Sequence, residues 1–260
     1  MSALPEDRQH HIQVARGEVG RYVLLPGDPG RCEPIARLFD EPRLVARNRE
    51  YETWTGYLDG VMVSVTSTGI GCPSAAIAME ELAKVGADTF IRVGTSGSMQ
   101  PYIEPGDLGV VHAAIRDEGT SSHYLPMEFP AVAHIDVTSA LAAGARSAGK
   151  TVHIGISQSK DSFYGQHEPG RMPVAERLKE RWSAWMAGGA ICSEMEAAAL
   201  YIVAATLGVR AGGIMMILGH PDQSAMTEEE EARGAVSNLL PAAVAGLREL
   251  IARDQAGARA

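Results

Sequence analysis

Three groups of polar residues stand where a folding chain would not place them without a reason. Pro26-Gly27-Asp28-Pro29-Gly30-Arg31 falls where the apolar run YVLLP gives way to a helical spacing of apolar residues. A strand, turn and helix in that order let backbone N–H groups and a helix N-terminus face an anion, and Arg31 adds a charged fork. An ordinary turn carrying a surface arginine would read the same way. Arg92 lies inside the apolar run TFIRV. A guanidinium there is costly unless an anion pairs with it, and that anion is either an internal glutamate or a ligand. Thr95 follows just past the strand, at the edge where open α/β sheets bind ligands, and offers a hydroxyl and an N–H.

The third group is Glu194 and Glu196, two residues apart at the start of the apolar segment MEAAALYIVAATLG. On a helix that spacing points the two carboxylates in different directions, so they do not form a simple paired acid/base site. One of them can hold the vicinal hydroxyls of a sugar, because a carboxylate accepts two hydrogen bonds at once. Acids at a helix N-terminus are also common without any such task. A further pattern, Thr68-Gly69-Ile70-Gly71-Cys72-Pro73-Ser74, imitates a GxGxxG dinucleotide fingerprint. It is imperfect: Ser74 replaces the third glycine, Pro73 sits at the helix start, and the next strand lacks the terminal acid that would meet a ribose. It supports only a minor alternative, a non-catalytic dinucleotide-binding module.

The elements that must hold these residues read as follows. Tyr22 to Pro26 is a strand and the segment from Arg31 a helix; Tyr51 to Leu58 and Val61 to Thr66 form a hairpin about Asp59-Gly60. A helix runs from Ser74 to Val85, closed by Gly86, and a strand from Thr89 to Val93 ends in a turn at Gly94-Thr95-Ser96-Gly97. A loop-rich middle precedes a helix at Asp136 to Ala148, a strand at Val152 to Ser157 and an exposed functional loop, FYGQHEPGRMP. Helices follow at Val174 to Met186 and Glu194 to Leu207, then a buried strand at Gly213 to Leu218 and a last helix capped by Thr227. With no linker or repeat, residues 1–260 read as a single α/β domain, a three-layer α/β/α sandwich with a central mixed sheet.

Composition narrows the function classes. Of 260 residues, 45% are hydrophobic and 21% charged, enough for a packed core. The net charge of −9 has the wrong sign for nucleic-acid binding, whereas a small anion needs only two or three local cations. Cys32, Cys72 and Cys192 are odd in number and far apart, indicating neither a disulfide framework nor a zinc site. Ala197 to Val209 is too short to span a bilayer and the N-terminal stretch MSALPEDRQHHIQ has no apolar signal region, so a cytoplasmic protein without membrane contact is expected.

Taken in order, PGDPGR, NREY, STGIG, IRVGTSGSMQP, EFPAVAHIDVT, SKDSFYGQ and SEMEAA resemble the uridine phosphorylase branch of the nucleoside phosphorylase family, from about His11 to Gly219. The resemblance implies a nucleoside phosphorylase-like fold and phosphorolysis of a nucleoside, uridine foremost, to free base and pentose 1-phosphate. Inorganic phosphate would be the co-substrate, with no cofactor required. It also implies active sites shared between subunits, in a homodimer or a homohexamer built as a trimer of dimers. By resemblance, phosphate is held by Gly27, Arg31, Arg92 and Thr95, with Arg49 entering from the neighbouring subunit. Thr95, Met195 and Glu196 meet the ribose, with His11 donated by the neighbour. Phe163 packs on the base and Gln166 reads its edge. Glu50, Ile70 and Ser74 match a set that in some members holds a monovalent cation, K+, at the subunit interface.

Two departures bear on the base. The uridine enzymes carry an arginine two residues after the glutamine, where this chain has Glu168; either Arg171 replaces the missing charge or the base differs. Purine-specific relatives carry an aspartate after the penultimate strand; here that strand ends Ile217-Leu218-Gly219-His220, with Asp222 a little beyond. The Glu168 departure leaves a purine or modified-nucleoside phosphorylase as the enzymatic alternative, and the absence of an acid after that strand weighs against it. The chemistry needs no covalent intermediate or metal-activated water, because a positioned phosphate is an adequate nucleophile. Arg92 and Glu196 carry its catalytic weight, the first on the nucleophile and the second on the cationic ribose.

Overall fold

The computed structural model describes residues 7–222 and 224–257. Part of the N-terminal stretch read for a signal, residues 1–6, lies outside them. Among the described residues, ten strands form one mixed sheet: β1 (Tyr22–Pro26), β2 (Asp40–Asn48), β3 (Tyr51–Leu58), β4 (Val61–Thr66), β5 (Thr89–Ser98), β6 (Leu108–Asp117), β7 (Ala131–Val132), β8 (Val152–Lys160), β9 (Cys192–Glu194) and β10 (Arg210–Ile217). Eight helices accompany them: α1 (Cys32–Ala36), α2 (Cys72–Lys84), α3 (Ile135–Ser147), α4 (Phe163–His167), α5 (Ala175–Ala187), α6 (Ala197–Leu207), α7 (Glu228–Arg233) and α8 (Leu239–Gly257).

One core lies under α2 and α6, and the other under α1, α3 and α8, which gives the sandwich its two helical layers. β1, β4, β5 and β10 pair in parallel, while β2–β3, β3–β4 and β10–β6 pair antiparallel, so the sheet is mixed. It also closes partly on itself, because β5 pairs along most of its length with β10 and at its end, Gly97 and Ser98, with β9. Among the described residues no helix is long and apolar enough to cross a membrane.

Local sequence accounts for these elements. Asp59 and Gly60 both take positive φ, 52° and 78°, the turn geometry that matches the twist of a two-residue hairpin. Ala197 through Ala204 are buried without exception, so α6 needs no polar face, and Gly208 ends it at φ 68°, a left-handed conformation that costs glycine little.

Several expectations are corrected. Gly94 to Gly97 do not turn; they continue β5, because small residues there let β10 and β9 approach its two sides. A Cβ on Gly94 would stand 2.5 Å from Met215 Sδ. FYGQHEPGRMP is exposed as expected but not irregular: Ser162 Oγ accepts from Gly165 N–H at 3.0 Å and starts α4. The helix expected from Glu194 begins at Ala197, since Glu194 belongs to β9. Thr227 does cap a helix, with a reciprocal bond from Glu230, but that helix ends at Arg233 and α8 follows separately. β2 and β6 were not foreseen.

Candidate active site

A cavity of about 910 Å³ opens over the C-terminal ends of β1, β5, β9 and β10. β1, β5 and β9 each bring sequence-singled residues to it or to its edge. Gly27, Arg31, Arg92 and Thr95 line it, as do Phe163, Gln166, Met195 and Glu196. Glu50 and Ile70 stand at the cavity as well. His11, Arg49 and Ser74 do not line it.

Asp28 accepts from Gly30 N–H at 2.8 Å and tightens the turn that carries Arg31. Burial lowers the Arg31 pKa, Asp28 opposes, and neighbouring Arg92 lowers it again, as expected of two cations facing one basin. Arg92 is only 5% exposed. Its Nε donates to Glu194 Oε2 at 3.0 Å, and its Nη2 lies against Glu196 Oε2. Burial pulls its pKa down, but the carboxylates of Glu196 and Glu194 outweigh that and leave it raised. Its Nη1 is buried with no hydrogen-bond partner. The internal-glutamate reading of a strand arginine is met on two nitrogens, and one donor is left over.

The two glutamates do not diverge. Because Glu194 ends a strand and Glu196 precedes the first turn of α6, both converge on one guanidinium. Glu194 Oε2 also accepts from the N–H groups of Glu196 and Ala197, at 2.8 and 2.9 Å, which caps α6. Glu196 Oε1 accepts from Gly71 N–H at 2.6 Å. Burial raises the Glu196 pKa, with Arg92 pulling the other way.

The Phe163 ring stacks on His167 at 4.1 Å between centroids. Gln166 Oε1 stands 2.7 Å from Ser193 Oγ. Arg171 does not take the place of the missing arginine: it pairs with Glu168 at 2.6 Å, lies over the Tyr164 ring, and is off the cavity. Asp222 is likewise off the lining, whereas His220 is on it and pairs with Glu230 at 3.1 Å.

Sequence reasoning missed Lys160. The strand was expected to end at Ser157, which put Lys160 in a loop; β8 in fact runs on and delivers it to the cavity. A lysine within SQSKDS, three residues past an apolar strand core at the sheet's ligand edge, was the available signal.

Beside the cavity, Ser74 Oγ donates to Glu50 Oε1 at 2.9 Å. Ile70 is 80% exposed. Hard oxygen donors at Glu50 and Ser74 suit a monovalent or other hard cation. Arg49 sits at the tip of the β2–β3 hairpin with φ 55°, exposed, its guanidinium without a hydrogen bond or ion pair among the described residues. His11 Nδ1 faces Glu81 Oε1 at 2.7 Å.

An oxyanion basin joined to an aromatic ring and an amide, at the ligand edge of a mixed α/β sheet, is the arrangement expected of an enzyme that brings an anion to a glycoside. The chain belongs to the phosphorylase superfamily, whose family model matches residues 21–252. It is 46% identical over 248 residues to a uridine phosphorylase of Treponema pallidum, covering 95% of this chain and 96% of that one. It is 50% identical over 217 residues to a uridine phosphorylase of Thermococcus kodakarensis, covering 83% and 78%. A guanosine phosphorylase of Halorubrum lacusprofundi is 40% identical over 213 residues, covering 82% and 84%.

Proposed function

We propose that this chain is a cytosolic uridine phosphorylase. The observation that carries the reading is Arg92, fixed in orientation by Glu194 and Glu196 and keeping an unpartnered Nη1 beside the cavity. A cation so held supplies a ready hydrogen bond to an oxyanion without reorganising. Gly27, Arg31, Arg92 and Thr95 bind phosphate; Arg49 completes the set from a second subunit. Met195 and Glu196 hold the ribose with Thr95, and the neighbour's His11 meets its 5′ end. Phe163 and Gln166 receive the base.

Phosphate attacks C1′ while the bond to the base lengthens. The ribose becomes oxocarbenium-like, and the phosphate dianion and Glu196 stabilise its positive charge. Arg31 and Arg92 hold the nucleophile in line, which removes the entropic cost of a chance encounter. Water has no such anchoring, so hydrolysis is disfavoured. A K+ ion at Glu50, Ser74 and the Ile70 carbonyl would serve the subunit interface, and no step depends on it.

A purine substrate is the second reading, favoured by the guanosine phosphorylase relative and by Glu168 in place of an arginine. A dinucleotide-binding module fares worse: the Gly71 N–H that would meet a pyrophosphate is occupied by the Glu196 carboxylate, an anion where an anion should bind. The test is a screen of uridine, thymidine, inosine, guanosine and adenosine with and without phosphate. Uridine turnover that requires phosphate is expected. A protein that consumes none of them, or works equally without phosphate, would refute the reading.

A further inference from the structure

Lys160 has no task in that account, yet its placement demands one. It is 5% exposed at the end of β8 and forms part of the cavity wall. Among the described residues its Nζ has one hydrogen-bond partner, Ser193 Oγ at 2.7 Å, and no carboxylate within ion-pair distance. Glu194, the nearest acid in sequence on the adjoining strand, is already engaged by Arg92, by two backbone N–H groups and by the hydroxyls of Ser157 and Ser159. An ammonium with two N–H donors to spare in so dry a place is unfavourable unless a ligand supplies the missing negative charge. Burial pulls its pKa down to about 8, against the pull of Glu194, Glu196 and Cys192 and with some help from Arg92.

The hydrogen-bond network ties Lys160 to Gln166. That partner of Lys160, Ser193 Oγ, also stands 2.7 Å from Gln166 Oε1 and 2.6 Å from Gln158 Oε1. Lys160 and Gln166 are thus joined through one hydroxyl, and Arg92 lies near enough to act on the Lys160 charge. Arg171, the other cation near this loop, is paired with Glu168 off the cavity. A second cavity of about 360 Å³ shares Lys160, Gln166 and Trp182 with the first.

We propose that Lys160 is a catalytic residue whose Nζ donates to a carbonyl of the base and holds the negative charge that the base acquires as it leaves. The inference rests on the phosphorolysis reading above. As the C1′–N bond breaks, its electron pair goes to the base, while a phosphate oxygen forms the new bond to C1′. Charge spreads onto the ring carbonyls, and the ammonium stabilises it there without transferring its own proton. The base anion regains a proton through water, matched by the one that the hydrogen phosphate ester releases. Lys160 thereby supplies from a strand end the positive charge that the uridine enzymes carry as an arginine in the loop.

The test compares uridine with 5-fluorouridine, whose electron-withdrawing fluorine makes the base a better leaving group. Lys160→Met is expected to lower kcat/KM for uridine by about 100-fold, the usual effect of losing one donor to a developing anion. The loss on 5-fluorouridine should be several-fold smaller, and the KM for phosphate should not change. Should the Met variant fail to fold, Lys160→Gln, which keeps a donor without the charge, carries the same comparison. No loss on uridine, or equal loss on both substrates, would overturn the proposal. A wild-type protein without phosphate-dependent uridine cleavage would instead overturn the functional reading beneath it.

Discussion

Arg92 ties the stability of the site to its chemistry. Removing it would leave Glu194 and Glu196 buried side by side with no cation in contact, and breaking a buried pair from one side costs about 3–5 kcal/mol. Arg92→Ala should therefore shift the denaturant midpoint substantially, and lost activity in that variant would say little about phosphate. Arg92→Lys separates the two effects. It keeps a charge between the carboxylates but loses the planar fork. It should stay folded while the KM for phosphate rises about tenfold, the cost of one charge-assisted hydrogen bond. An unchanged phosphate KM would mark Arg92 as purely structural. The position was legible in the sequence because a guanidinium inside TFIRV demands a partner. Its partners were not, because helical spacing was assumed for two acids of which one ends a strand. Lys160 was hidden for a similar reason, a strand that continues through SQSK after its apolar residues end.

Among the elements, strand ends decide what the site contains and α8 decides whether those strands hold together. Asp254, near the end of α8, accepts from Arg210 Nη1 and Nη2 at 3.0 and 2.6 Å and from Tyr22 Oη at 2.6 Å. Tyr22 begins β1 and Arg210 begins β10, so the clasp lies at the end of the sheet opposite the cavity. Hydrogen bonding from Arg210, first among the causes, holds the Asp254 carboxyl below its ordinary pKa. A carboxyl depressed in the folded state contributes stability above its unfolded pKa and loses that contribution as pH falls through the folded value. Asp254→Asn should thus lower stability by about 1–3 kcal/mol at pH 7, flatten the fall of Tm below about pH 4, and leave kcat unchanged. An unaltered acid limb in thermal melts would refute the clasp. The β3–β4 hairpin and the cores of α2, α3, α5 and α6 were readable from turn residues and apolar period. β2 was not, being an edge strand with exposed charges and Pro42. Nor was β6, whose apolar run lies among turn residues in what read as a loop-rich middle.

At the scale of the molecule, a chain of net charge −9 gathers Arg31, Arg92 and Lys160 around one cavity, so its attraction for anions is local. Arg49 and His11 are off that cavity and Ile70 is exposed at its edge, which is what shared sites between two copies would require. Mixing Arg49→Ala with Arg92→Lys, after subunit exchange and at phosphate well below the variants' KM, should restore activity to roughly a quarter of the sites, because each hybrid dimer rebuilds one intact site. Activity no higher than either parent, despite exchange verified by mass spectrometry, would contradict sharing. The sharing was suggested by family likeness alone, since no single-chain pattern of residues distinguishes a group that serves its own cavity from one that serves a neighbour's.

The central claim is that phosphate, and not water, takes the sugar. The most direct measurement follows uridine, inorganic phosphate and the protein by ³¹P NMR while uracil release is recorded in parallel. The account predicts that the phosphate signal falls and a pentose 1-phosphate signal rises in one-to-one proportion with uracil, and that release stops when phosphate is withheld. Uracil appearing at an undiminished rate with the phosphate signal unchanged would contradict it.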